Sequence, residues 1–300
     1  MQPSISVILA TWRRPESTRI VLGDLARQEG LSAEVVVVDQ NAPPMGAEVF
    51  REFRQSAHSL KVLPHTRGVV SARRAGVEAS AGDVILFLDD DVRIRSAQFL
   101  AGHAKNYEDA ETMAVCGQEL SPPDFKPRTD PAGEFDSPFE AAMFFPRATT
   151  ERRVIAHLAT CNCSMRRAAW EKTGGLDMAF AGNSYGDDYD LALRMHHAGM
   201  KIVFDPLPSI EHVRAPMGGL RLDDPRNSYA EWEKYVSLWV FHLRHVPAKW
   251  RWWNFREGIL RKSLLLKRNV LRPWLWPGII GGLVRARMVA MRSVGSGGAH

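Results

Sequence analysis

Three cysteines in 300 residues, Cys116, Cys161 and Cys163, are too few and odd in number to frame a disulfide scaffold. Cys161-x-Cys163 has no second Cys/His pair at zinc spacing, so reduced strand cysteines are the expectation. Long apolar runs are also lacking. The longest, Pro273 to Val284, is closed off by Arg272 and Arg285 and falls short of the ~20 residues a bilayer span needs. At the start, Ile5 to Ala10 is apolar but short, no basic region precedes it, and Arg13-Arg14 follow. That is not a signal peptide, and a cytoplasmic protein is expected. Charge of one sign is scarce: 39 basic residues against 34 acidic give +5, too little to argue for a nucleic-acid partner. Glycine is missing where a dinucleotide fingerprint would stand. Ala10-Thr11-Trp12-Arg13-Arg14-Pro15 follows the first apolar run instead of G-x-G-x-x-G, which argues against a nicotinamide dehydrogenase. The glycine-rich basic loop of a sugar-nucleotide pyrophosphorylase is absent from the same place.

The sequence does hold 45% hydrophobic residues, enough to bury a sizeable core. Short apolar runs alternate with helical patterns. Ile5–Ala10, Glu34–Val38, Leu60–Leu63 and Val84–Leu88 read as strands; Ser17–Gln28, Gly46–Ala57 and Val69–Ser80 read as helices. Apolar runs without alternation, separated by helices, imply an α/β fold with a doubly wound parallel sheet covered on both faces. Ligands then bind beyond the carboxyl ends of the strands, at Thr11, Asp39, Arg67 and Asp89–Asp91. Between about Leu120 and Ile155 six prolines, Pro131 among them, mark a long irregular segment expected to face substrate. A strand over Thr160–Arg166, a helix over Ala168–Thr173, a helix over Asp187–Ala198 and a strand over Lys201–Phe204 follow.

The densest chemistry is Asp89-Asp90-Asp91 at the open end of an apolar strand. Three clustered carboxylates favour a hard divalent cation such as Mg²⁺ or Mn²⁺, which would bridge a diphosphate. A solvated acidic loop would look the same from this stretch alone. Asp39 can accept hydrogen bonds from a nucleotide's base or ribose, or cap the turn that follows it. Arg67 and Arg73 flank a helix N-terminus and form an anion site or an exposed basic face.

Longer blocks carry a resemblance. HTRGVVSARRAGVEASAGDVILFLDDDV retains Gly68, Ala72, Arg73, Gly76, Gly82, Asp83, Asp89 and Asp91 of a pattern typical of family 2 glycosyltransferases, which have the GT-A fold. Arg74 departs from it, standing where Asn is usual. The opening strand with Thr11 to Pro15 is similar to the family's start. In the second half, Asn162 to Arg167, then Gly174-Gly175-Leu176-Asp177, then Gly186 to Arg194 resemble its later motifs, with Asp187 where the family has Glu.

The resemblance covers about residues 4–215 and implies a mixed Rossmann-like sheet. It divides the chain into a GT-A domain, 1–215, and an extension, 216–300. Residues 1–118 of the domain form the nucleotide-sugar half and 119–215 the acceptor-binding and catalytic half. The implied activity is metal-dependent hexosyl transfer from a nucleoside-diphosphate sugar, UDP- or dTDP-linked, to a glycan or lipid-linked acceptor. Configuration inverts, and the setting is cell-surface polysaccharide, lipopolysaccharide or glycolipid assembly. Asp188 is then the base, with Asp187 beside it. Thr11, Arg13, Asp39, Arg67, Arg73, Asp89 and Asp90 face the donor nucleotide. Asp91, Asp89 and His212 hold the Mg²⁺ or Mn²⁺, and Asn162 and Asp190 face the acceptor. His212 also has a purely structural reading, and Asp190 with Arg194 reads equally as a helical ion pair. A nucleotidyltransferase and an inactive sugar-nucleotide-binding module are the competing functions.

Seven of the nine tryptophans lie beyond residue 230, from Trp232 through Trp276, interleaved with Lys249, Arg251, Arg256, Arg261, Lys262, Lys267, Arg268 and Arg272. Aromatic, basic helices suit peripheral docking on an anionic membrane surface. The other reading is that they pack on the core with their charges in water.

Overall fold

The computed structural model describes residues 3–127, 133–180, 184–215, 218–219, 233–261, 264–265 and 267–295. Pro131, Trp232 and Lys262, named above, lie outside the described residues. The first half holds β1 (Ile5–Thr11), α1 (Pro15–Ala26), β2 (Ala33–Asp39), β3 (Ser59–Pro64), α2 (Val69–Glu78), β4 (Val84–Leu88), β5 (Val92–Arg93), α3 (Phe99–Lys105) and β6 (Thr112–Leu120). The second half adds α4 (Pro138–Phe144), β7 (Arg153–Val154), β8 (Asn162–Arg166), α5 (Arg167–Thr173), α6 (Asp187–His197) and β9 (Lys201–His212). A helical C-terminal region follows: α7 (Glu233–His245), α8 (Arg251–Asn254), α9 (Lys267–Val270) and α10 (Trp276–Gly295).

The strands form one mixed sheet in the order β3-β2-β1-β4-β8-β6-β9-β5, with β7 on β9. β1 pairs parallel with both β2 and β4, whereas β8 runs antiparallel to β4 and β6. Val35 to Val38 and Val84 to Leu88 are almost wholly buried. An unbroken apolar run with both faces covered by helices explains this. Gly76 lets α2 lie directly on the sheet: a Cβ there would come within 2.5 Å of Ile8. Because β1, β2 and β4 run the same way, Thr11, Asp39 and Asp89 emerge at one edge, where ligand sites of such sheets lie.

Three expectations are corrected. Residues 46–57 form two short 3₁₀ turns, Ala47–Phe50 and Phe53–Gln55, rather than one helix; the i+3 and i+4 spacing of Val49, Phe50 and Phe53 suits a helix, but the two short turns suffice to bury all three. The irregular segment contains α4, capped by the Ser137 hydroxyl accepting from the Glu140 amide. β9 runs on past Phe204 to His212, accommodating Pro206 and Pro208 through a register shift against β6 between Gly117 and Gln118. A boundary at 118/119 falls inside β6.

α7 is integral to the same core. Trp239, Val240 and Phe241 are fully buried, contributing roughly 2 kcal/mol each by area burial. Phe241 stacks on Phe139 of α4 at 5.9 Å and meets Tyr189 of α6 edge-on at 6.0 Å.

Candidate active site

A cleft of about 360 Å³ opens at the carboxyl ends of β1 and β4. Asp89, Asp90 and Asp91 line one side, Asp187 and Asp188 another, and Arg67, Arg73 and His212 also reach it. The two acid sets are brought together by topology. Asp89–Asp91 leave β4 directly, while Asp187 and Asp188 open α6 after Gly186, whose φ of +83° puts it in the left-handed region. A side chain at Gly186 would also press on Phe241 at 3.0 Å, so α7 shapes the turn that presents these carboxylates.

Arg73 spans the two sets. One arm donates to Asp89 at 2.9 Å and the other to Asp187 at 3.4 Å. Burial raises Asp187, the adjacent Asp188 raises it further, and Arg73 pulls it back. Burial likewise raises Asp188, against Arg147, Arg73 and the amides of Tyr189 and Thr160. Two adjacent carboxylates, one buried and one half-buried, ionise together only with difficulty, so the pair is poised to carry a proton.

The short pairing of β5 with β9 sets Val92 opposite His212 and so puts His212 beside Asp91. Its Nε2 lies 3.2 Å from Asp91 and 3.8 Å from Asp89, and its Nδ1 is 2.9 Å from Glu119. Burial opposes charge on this imidazole, but hydrogen bonds to Asp91, Cys161 and Glu119 and the charge of Asp89 push it up to about 12. Ligand atoms of Asp89, Asp91 and His212 lie within 4.8 Å of one another. Two hard oxygens and one imidazole suit Mn²⁺ or Mg²⁺. A second cluster, Glu119, Cys161 and His212, meets the same distance criterion. It is the poorer site, because Arg147 already neutralises Glu119 at 2.9 Å and burial pushes the Cys161 thiol up.

Arg14, outside the set expected from sequence, is among the most engaged cations of the cleft. Its Nη1 sits 2.7 Å from Asp90 and 3.1 Å from Asp91. Asp90 is nevertheless raised to about 6, because burial outweighs Arg14. Trp12 forms another unforeseen wall, with Arg67 stacked over its ring at 4.0 Å and Arg13 at 4.7 Å. A tryptophan followed by two arginines just after β1 was the signal available. Glu119 and Arg147 had none, since each acts through neighbours that only the fold supplies. Arg74 donates to the Gly174 and Leu176 carbonyls at 2.7 and 2.8 Å, so it ties α2 to the glycine turn.

Five expected contacts are not among the residues lining the cleft. Thr11 is buried, sharing a 2.8 Å hydrogen bond with Thr18 and giving another to Asp90. Arg13 lies beside Trp12, its amide donating to Asn41 Oδ1 at 2.6 Å. Asp39 caps the following turn, accepting from the Asn41 and Met45 amides at 2.9 and 2.7 Å, while its neighbour Gln40 lines the cleft. Asn162 is wholly buried. It donates to the Gln118 and Pro208 carbonyls and takes a 3.0 Å hydrogen bond from His103, so it joins β8 to β6 and β9. Asp190 is also wholly buried, held by Arg194 at 2.8 Å, Arg244 at 3.2 Å and His245 at 2.7 Å. It is the pin between α6 and α7. Neither Asn162 nor Asp190 has an edge left for an acceptor.

The validoxylamine A glucosyltransferase of Streptomyces hygroscopicus subsp. jinggangensis is 26% identical over 223 residues, covering 66% of this chain and 52% of that protein. The succinoglycan biosynthesis protein ExoM of Rhizobium meliloti is 28% identical over 211 residues, covering 67% and 64%. The chain thus spans between half and two thirds of these relatives' length. Among solved structures, S. aureus TarS 1–349 in complex with UDP-GlcNAc superposes with a TM-score of 0.62 at 15% identity, over 94% of this chain and 81% of that one. The mannosyltransferase PcManGT from Pyrobaculum calidifontis, in complex with GDP-Man and Mn²⁺, gives 0.55 at 17% identity, over 100% and 77%. These likenesses establish the fold. The family model for glycosyl transferase family 2 matches residues 6–174, more than half of the chain, and the chain belongs to that family.

Proposed function

We propose that this protein transfers a hexose from a nucleoside-diphosphate sugar to an acceptor hydroxyl, with inversion, in the assembly of a cell-surface polysaccharide or glycolipid. The observation that carries the reading is the buried Arg73 guanidinium joining Asp89 to Asp187. It couples a cation-favouring corner to a proton-accepting pair across one cleft. Asp89, Asp91 and His212 would hold Mn²⁺ or Mg²⁺. When bound, such an ion supplies Lewis-acid neutralisation of the leaving diphosphate. Arg14 and Arg67 add positive charge on the donor side. A UDP- or dTDP-sugar is the donor we favour.

Asp188 takes the acceptor's proton, and its raised affinity for protons matches that task. One base on the face opposite the leaving group fits inversion. Asp187 and Arg73 hold the base in place. The acceptor on this reading is a glycan or lipid-linked hydroxyl, met at the cytoplasmic face of a membrane to which the chain attaches peripherally. A nucleotidyltransferase is disfavoured by the lack of a glycine-rich basic loop after β1. An inactive module is disfavoured by the retention of both acid sets in the cleft.

A hydrolysis screen over nucleotide sugars with Mn²⁺ tests the proposal. Slow cleavage of one donor, abolished by chelator and by Asp91→Ala, is expected. Cleavage of none, by a folded protein that binds none, would remove the reading.

A further inference from the structure

We propose that the exposed apolar face of α10, with the turn before it, is a docking surface for an anionic lipid bilayer. α10 has two apolar faces. Ile279, Gly282, Ala286 and Ala290 are buried on the side packed against α7. Trp276, Ile280, Val284, Met288 and Met291 are all exposed. Their spacing of three and four residues puts them in one stripe along the helix. A helix whose only task is to cover a core carries polar residues there. Leu271 and Trp274, 67% and 70% exposed, extend the apolar surface at its start.

Charge identifies the occupant. Residues 249–291 hold ten lysines and arginines and a single acid, Glu257, whereas the rest of the chain holds 29 basic residues against 33 acidic. The positive charge is thus concentrated in the stretch of chain that ends in the stripe. Arg287 falls within it and Arg285 on its border, both exposed. Their stems can lie among acyl chains while the guanidiniums reach phosphate. A second copy of this chain would set like charge against like. Tryptophan at the rim suits the boundary between headgroup and hydrocarbon. Among the described residues no helix is long and apolar enough to cross a membrane, so α10 lies along the surface. The inference rests on the reading above only for the reason a bilayer is useful, namely that it displays the acceptor; the surface itself owes nothing to the cleft.

Sedimentation of the full chain with vesicles tests it. Phosphatidylglycerol-containing vesicles should carry the protein down at low salt and release it at high salt, and phosphatidylcholine vesicles should carry little. Ile280→Gln with Val284→Gln and Met288→Gln should lower partitioning at least tenfold. Arg285→Gln and Arg287→Gln should each lower it about fivefold, as expected for about 1 kcal/mol per basic residue at an anionic surface. Circular dichroism and donor hydrolysis should be unchanged in these variants. Equal binding to neutral vesicles, unchanged binding by the variants, or no binding overturns the proposal. So does a dimer in light scattering that the triple glutamine variant dissolves, because the stripe is then a self-interface. Failure of the unaltered chain to bind vesicles, with hydrolysis intact, removes only this inference, and failure of the unaltered chain to hydrolyse any donor, with vesicle binding intact, removes only the catalytic one.

Discussion

Glu119 stands behind the proposed metal ligand and offers the sharpest test of the cleft's architecture. It is buried at the end of β6, accepts from His212 Nδ1 at 2.9 Å and from Arg147 Nε at 2.9 Å, and also receives the Cys161 thiol. Burial would raise this carboxyl, yet His212 and Arg147 bring it down to about 2. It is therefore an anion at any working pH. By fixing Nδ1 it turns Nε2 toward Asp91 and Asp89, the arrangement in which a carboxylate orients a metal-binding histidine. Glu119→Gln keeps the shape and an acceptor oxygen but removes the charge. Losing such a partner typically weakens metal binding 10–100-fold, or about 1.4–2.8 kcal/mol at 1.4 kcal/mol per decade. Titration of free Mn²⁺ by electron paramagnetic resonance, with nucleoside diphosphate present, measures this directly. Transfer at saturating Mn²⁺ should stay near wild type, since the base is untouched. An Mn²⁺ affinity within twofold of wild type, accompanied by a collapsed kcat, would refute the reasoning. Glu119 would then act through Arg147 on Asp188.

Three further outcomes follow from the geometry. Asp188→Asn should leave donor binding intact and reduce transfer by at least ~10²-fold; full activity in a rapid-quench assay would reassign the base. Asp190→Ala leaves Arg244, Arg194 and His245 around an empty site, so urea unfolding should show a loss of about 3–5 kcal/mol rather than a selective change in KM for the acceptor. Acid should weaken the fold early, through His103 and His157. Burial lowers His103 to about 4 and His157 to about 3 from an ordinary 6.5. The folded state then binds fewer protons than the unfolded one. This contribution is whole above pH 6.5 and is lost as pH falls from there toward 4, by about 1.4 kcal/mol per unit for each group. His103→Gln should flatten that slope in pH-dependent denaturation, and an unchanged slope would show that His103 does not supply it.

The nucleotide-side strands were legible because β1, β2 and β4 are buried on both faces and read as unbroken apolar runs. β6 was not, since Thr112 and Gly117-Gln118-Glu119 interrupt its apolar pattern; its polar side chains are paid for by hydrogen bonds that the sequence does not display. The acids were legible as a set, but not which of them reach solvent. Asp187, Asp188 and Asp190 differ by one to three positions on α6. Helical periodicity aims the first two at the cleft and the third at α7, where Arg244 and His245 meet it. Asp39 and Asn162 show the same ambiguity, because a polar residue at a strand end can face a ligand or close a turn, and only neighbouring amides decide.

The C-terminal region was the least legible, and it links the parts of the molecule. α7 grips the catalytic helix through Asp190 and supports the turn before it through Phe241 and Gly186. Its opposite partner is α10, whose outer stripe is the proposed lipid contact. A chain cut after β9 would therefore lose both membrane contact and the packing that presents Asp187 and Asp188, so truncation cannot separate the two roles. Point changes on the outer stripe of α10 can, because Ile280, Val284 and Met288 are exposed while Ile279, Ala286 and Ala290 are buried. α10 packs on α7, and α7 is joined to α6 through Asp190, so the outer stripe and the catalytic turn belong to one packed unit.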